Sequence, residues 1–194
     1  LNAYTSFDET VYILSLPADD PTIVDKGFLV LEDWAFNNLL DKEEVEKERG
    51  VVLEESRLSK GSWERMSRQY FPKLLNGSKY AQRLPIGTDD VLKTFKYETL
   101  KKFYTEWYRP NLMAVMVVGD IDPADAEKKI IAHFGKFTNP AGAPARPSII
   151  PIKPRTAPEA LVITDDEATN TTIQIYNYVK QATPVKTWAA YRQN

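Results

Sequence analysis

The sequence has no cysteine and a single histidine, His133. The first absence excludes disulfides, thiolate metal sites and a cysteine nucleophile. The second excludes a self-contained catalytic zinc site of the usual kind, which needs several nitrogen or sulfur ligands. It also leaves a Ser-His-Asp triad only one histidine to use. No run of roughly 18 apolar residues occurs, so no membrane span is expected. Excess charge of one sign is missing as well. The 25 Lys and Arg stand against 27 Asp and Glu, a net charge of −2. With a pI near 5.6 there is no basic footprint for general nucleic-acid binding. No charged-then-apolar leader opens the chain, so no signal peptide is read within it.

What is present is enough for a core. Of the 194 residues, 43% are hydrophobic and 11% aromatic, which excludes disorder as the main description. The chain starts at Leu1 in a strand-like run and ends at Asn194 in a stretch that reads as a helix beginning near Pro184. The expectation is a segment of a longer protein.

Thr10 to Leu16 is rich in β-branched and apolar residues and reads as a strand. Asp20-Pro21 reads as an N-cap followed by proline at the first helical position, opening a helix to about Leu40. Asp41 caps a second, long helix from about Glu43 to Phe71, weakened by Gly50 and Gly61. Thr88-Asp89-Asp90 starts a short helix. Tyr97 to Tyr108 reads as an amphipathic helix with Leu100, Phe103, Tyr104 and Trp107 on one face. Leu112 to Val118 is a continuous apolar run, expected as a buried strand. Asp122-Pro123 opens a helix that stops at Gly135. Six prolines between Asn139 and Pro158 mark a semi-rigid linker. Beyond it come two expected strands, Leu161 to Thr164 and Thr171 to Val179, and a helix start at Thr183-Pro184.

The long helix concentrates the titratable chemistry. Its bland reading is a solvated face of paired charges. Against that, Val51, Val52 and Leu53 form an apolar block with acids on both sides. Glu48 and Glu55 are seven residues apart, which puts them on one face but about 10 Å apart along a straight helix. They cannot both bind one metal ion directly. One could be a ligand and the other its supporting partner, and spacing alone does not say which.

Five segments, in order, carry a resemblance: Asn2-Ala3-Tyr4-Thr5-Ser6-Phe7-Asp8-Glu9-Thr10-Val11-Tyr12, Glu48-Arg49-Gly50-Val51-Val52-Leu53-Glu54-Glu55, Arg83-Leu84-Pro85-Ile86-Gly87, Phe103 through Pro110, and Val118-Gly119-Asp120-Ile121. Together they resemble the pitrilysin/insulysin-type zinc peptidases, the inverzincins, and their bacterial members most. The family's H-x-x-E-H helix supplies two histidine ligands and the general base, and a downstream glutamate is the third ligand. The resemblance implies that Glu55 is that metal ligand and that Glu48 is the supporting acid. It also implies that Asn2, Ala3, Tyr4 and Thr5 form an edge strand that takes substrate by strand addition. This chain contains no H-x-x-E-H. In the family that helix precedes the Asn-Ala-Tyr-Thr strand.

The resemblance therefore implies a fragment of a zinc-dependent metalloendopeptidase, inactive by itself, with zinc held only in the intact parent. Its partners would be a peptide substrate and the remaining domains of the same polypeptide, with a homodimer also open to it. The bacterial periplasm or cell envelope is favoured as the location. The alternative is a non-catalytic peptide-binding or structural subunit of the same family. A third possibility, an interaction module without chemistry, requires Glu55 to be solvated on an outer face.

The expected fold class is α/β of the two-layer α+β kind, with helices on one face of a mostly antiparallel sheet. Residues 1–138 are expected to belong to the metal-binding peptidase domain, 139–158 to a Pro-rich linker and 159–194 to the start of a second homologous domain. Other candidates read as structural. His133, in a last helical turn, would interact with the dipole and free carbonyls. The aromatics Phe103, Tyr104, Trp107 and Tyr108, with Trp34 and Trp63, read as core. Asp165-Asp166-Glu167 is an acidic turn with little claim to a cation.

Overall fold

The computed structural model describes residues 2–148, 150–177 and 187–193. The chain divides into two compact units, one of Leu1–Leu58 with Arg83–Ile149, the other of Ser59–Gln82 with Ile150–Asn194.

The first unit begins with β1 (Asn2–Thr5) and β2 (Thr10–Ile13), an antiparallel pair with Ala3 opposite Tyr12 and Tyr4 opposite Val11. The turn between them closes with Ser6 N–H donating to Glu9 O at 2.8 Å. Helix α1 (Pro21–Phe36) starts as its sequence dictates, with Asp20 accepting from Thr22 N–H at 2.8 Å and Pro21 in the first turn. It stops at Asn37, short of Leu40, where the backbone turns left-handed at φ 47°. Asp41 then caps α2 (Lys42–Leu58), accepting from the N–H groups of Glu43 and Glu44. Thr88 caps α4 (Asp89–Thr94), α5 spans Tyr97–Trp107, and Asp122 caps α6 (Pro123–Phe134) before Gly135.

α1 packs on α6. Phe28, only 5% exposed, stacks on the His133 ring at 5.9 Å, and Phe36 stacks on Phe137 at 3.9 Å. The structural role expected for His133 stands, but its partner differs. Its Nδ1 lies 2.7 Å from Oε2 of Glu32, a buried carboxylate that also pairs with Lys136 Nζ at 2.6 Å. Lys136 foremost, then His133, hold the Glu32 carboxyl below the usual 4.5. A depressed folded value means stabilisation that is complete above about pH 4.5 and is lost as pH falls through the folded value. Glu32→Gln should therefore cost about 1–2 kcal/mol at neutral pH through its lost charged hydrogen bonds. The gap from wild type should close as melts are repeated at steadily lower pH. A gap that stays constant down to about pH 3 would show that the carboxylate's charge contributes nothing.

The second unit holds α3 (Ser62–Leu74), a 3-10 turn at Lys79–Gln82 and α7 (Trp188–Gln193). The expected single helix from Glu43 to Phe71 is thus two helices, interrupted at Ser59-Lys60-Gly61. Pro72 sits in the last turn of α3, and Asn76 and Gly77 follow at φ 45° and 72°, a left-handed pair that turns the chain. The acidic turn is occupied by protein. Arg65 donates from Nε and Nη2 to both carboxylate oxygens of Asp165, at 2.7 and 2.6 Å, and from Nη2 to Glu167. This fork holds the Asp165 carboxyl below its usual range.

Among the described residues the β1–β2 pair is the only sheet. The antiparallel pairing matches the expectation, but the fold observed is mainly helical. The run expected as a buried strand, Leu112 to Val118, starts in a 3-10 turn (Pro110–Leu112) and continues without ladder bonds, leaving Met116 78% and Val118 97% exposed. Leu161 to Thr164 and the described part of Thr171 to Val179 also lack a ladder, with Val162 and Ile173 each 87% exposed. An apolar run becomes a buried strand only when neighbours supply hydrogen bonds on its flanks. The helix start at Thr183-Pro184 lies outside the described residues.

Candidate functional site

The two acids singled out in the sequence lie on α2, and their setting follows from how that helix is fastened. Ser56, 1% exposed, donates to Asp89 Oδ1 at 3.0 Å in the first turn of α4. Arg49 reaches the other end of α4, donating to Leu92 O at 2.5 Å and Phe95 O at 2.9 Å, with its guanidinium 3.7 Å from the Phe95 ring centroid. Val45, Val52 and Leu53 are half-buried on the same side. This fixes the rotation of α2 about its axis.

Glu48, Val51, Glu55 and Leu58 lie beside that packed face, within a stripe of about 80° at 100° per residue. All four are exposed, Val51 to 58% and Leu58 to 71%. The neighbouring acids are engaged within the helix: Glu44 pairs with Lys47, Glu46 with Arg49 and Glu54 with Arg57. Among the described residues Glu48 and Glu55 make no ion pair or side-chain hydrogen bond, and neither does Glu43 in the first turn. The block Val51-Val52-Leu53 is therefore divided, with two residues packed and one facing out.

The donor set does not complete a zinc site. No cluster of three or more His, Asp or Glu side chains that could hold a metal occurs among the described residues, and His133 is committed to Glu32. Glu55 presents one exposed carboxylate.

Asn2, Ala3, Tyr4 and Thr5 are exposed along the whole of β1, whose outer edge no other strand covers among the described residues. Tyr4 Oη donates to Glu9 Oε1 at 3.4 Å, and the Thr5 and Thr10 hydroxyls are 3.2 Å apart. Behind the hairpin lies an aromatic bracket that the sequence did not flag as functional. Tyr12 packs against Trp34 and Tyr108 at centroid distances of 5.9 and 6.3 Å, and its hydroxyl is 2.5 Å from that of Tyr108. Tyr104 stacks on Tyr108 at 4.6 Å, donates to Trp34 O and accepts from Asn38 N–H. Burial, then the adjoining Tyr12, pushes the Tyr108 hydroxyl far above the ordinary tyrosine range. Of the aromatics expected in the core, Phe103 and Trp63 are instead 54% and 59% exposed.

The chain belongs to peptidase family M16. The family profile described as Insulinase (Peptidase family M16) matches residues 1–83, and that described as Peptidase M16 inactive domain matches residues 94–191. The chain is 33% identical over 192 residues to the zinc protease PQQL-like of Arabidopsis thaliana, covering 98% of this chain and 20% of that protein. It is 35% identical over 176 residues to the probable zinc protease PqqL of Escherichia coli, covering 91% and 19%. The crystal structure of the periplasmic protease PqqL from Escherichia coli superposes with a TM-score of 0.72 at 37% identity, over 78% of this chain and 17% of that one. The ferredoxin protease FusC, solved as a mutant in complex with Arabidopsis ferredoxin, gives 0.71 at 33% identity, over 79% and 17%. The chain thus spans about a fifth of the length of the curated relatives it matches.

Proposed function

We propose that this chain is the part of a zinc metalloendopeptidase that supplies the third metal ligand, Glu55, its supporting acid Glu48, and the peptide-receiving edge, Asn2 to Thr5. The observation that carries the reading is the α2 stripe. Other acids of α2 pair at i,i+3, as Glu44, Glu46 and Glu54 do. This stripe leaves Glu48 and Glu55 unpaired beside an exposed Val51 and Leu58. Such a face suits an amphipathic helix whose apolar residues cover Val51 and Leu58 and whose histidines meet the acids. The H-x-x-E-H helix is that occupant, and it brings two imidazoles and the base glutamate. Zinc bound there would polarise a peptide carbonyl. The residues of this chain hold and orient: Glu55 gives a carboxylate, Glu48 accepts from a ligand imidazole, and β1 offers backbone N–H and C=O groups to an extended peptide.

The same reading completes the fold. The apolar extended run 113–118 would pair within the sheet of the first domain, and the runs 161–164 and 171–177 within that of the second, each sheet mostly antiparallel and covered by helices on one face. Residues 1–138 belong to the metal-binding domain, 139–158 to the linker and 159–194 to a second homologous domain. The periplasm or cell envelope is the proposed location, in line with the periplasmic relative from Escherichia coli.

A non-catalytic peptide-binding subunit is the second reading. It is favoured by the match of residues 94–191 to the profile described as inactive, while the exposure of Glu55 is what the third possibility, an interaction module without chemistry, requires. The deciding experiment is metal analysis and casein cleavage by the polypeptide that carries this chain together with its upstream sequence. One zinc per chain and chelator-sensitive cleavage support the peptidase. Casein binding with neither zinc nor cleavage supports the subunit.

A further inference from the structure

We propose that the Tyr12–Tyr108 hydroxyl pair is a positioning device for substrate, holding the β1 edge in place so that an extended peptide can add to it. The inference rests on the peptide-receiving role of β1 given above, and neither tyrosine touches the reacting bond.

A ladder of two four-residue strands is marginal by itself, and every residue of β1 is exposed. Something else must hold this hairpin still. The register answers where: Tyr12 lies directly opposite Ala3, in the middle of β1. Its ring rests on Trp34 of α1 and on Tyr108, which follows α5, and its hydroxyl meets the Tyr108 hydroxyl at 2.5 Å. Tyr108 in turn stacks on Tyr104, whose hydroxyl is bonded to the backbone of Trp34 and Asn38. One unbroken set of contacts thus runs from the centre of the edge strand to the ends of two helices. Strand addition requires the edge groups to be presented at fixed spacing along several residues. A hairpin that rocks must be ordered at the moment of binding, and the affinity falls by that ordering cost. The hydroxyl pair sits where a small loss of fixity reaches the edge, while the rings alone preserve the packing.

The test uses Tyr12→Phe, Tyr108→Phe and the double variant in the polypeptide that carries the chain with its H-x-x-E-H helix. The probe is fluorescein-labelled casein, followed by cleavage and, in the zinc-stripped form, by anisotropy. KM and Kd should rise roughly three- to tenfold, the worth of one hydrogen bond. Zinc content and kcat should not move. The double variant should match either single, because all three remove the same bond. Unchanged KM and Kd, additive losses in the double variant, or kcat and zinc falling in step would each overturn the proposal. If the polypeptide neither holds zinc nor cleaves casein, the peptidase reading fails, and the Kd comparison still decides the role of the tyrosines.

Discussion

Glu55→Gln should abolish stable zinc retention and casein cleavage in the proposed intact peptidase while leaving the thermal midpoint of the zinc-free protein in place. That is the expected result, and each half has its own cause. The amide keeps the shape of the carboxylate but loses its charge, so it neither ligates the zinc dication well nor offsets its charge. Removing a partner that only orients a ligand typically lowers metal affinity about 10–100-fold. Loss of a direct ligand should exceed that range, and Glu48→Gln should fall within it. The ordering of the two variants tests the assignment, since spacing alone leaves the acids interchangeable. Stability of the zinc-free protein should not change because Glu55 is exposed and unpaired, about a quarter-turn or more round α2 from Ser56 and Arg49. Zinc content and cleavage equal to wild type in Glu55→Gln would falsify the ligand assignment. A large fall in the melting midpoint of the zinc-free variant relative to zinc-free wild type would show that the side chain serves the fold instead.

How far the sequence could be read depended on the range of the physics involved. The helix starts at Asp20, Asp41, Thr88 and Asp122 were visible because an N-cap is settled by a side chain and N–H groups two or three residues away. The break between α2 and α3 was only half visible. Gly61 signalled weakness, but the charged, helix-favouring residues around it suggested continuity. The apolar runs after Leu112 and around Ile173 read as strands because composition reports burial propensity, whereas a ladder needs partners distant in sequence. His133 shows the same limit. Its helical position was legible, but its partner Glu32 lies 101 residues away. The candidate site was recognisable only through an ordered set of motifs. No local rule distinguishes Glu48 and Glu55 from Glu46 and Glu54. All four are exposed, and what separates them is that Arg49 and Arg57 engage Glu46 and Glu54.

Phe28→Ala should be the most destabilising single change in the first unit, about 3–5 kcal/mol by the usual cost of emptying a buried phenylalanine site. Phe28 and Ala126 are the buried hydrophobic residues among those described, and Phe28 is the large one. Its ring lies on His133, beside the hydrogen bond between His133 and the buried Glu32, so the truncation removes apolar packing and opens that bond to water together. The two losses share one site, so Phe28→Ala combined with Glu32→Gln should cost less than the sum of the singles. Phe103→Ala is the control. Sequence periodicity places Phe103 with Tyr104 and Trp107, yet it is 54% exposed, and its truncation should cost less than about 1 kcal/mol. Denaturant melts of the four variants decide the matter. Equal costs for Phe28 and Phe103 would mean that the α1–α6 contact is not where this unit keeps its stability. Strict additivity with Glu32→Gln would mean that the phenylalanine does not shield the carboxylate.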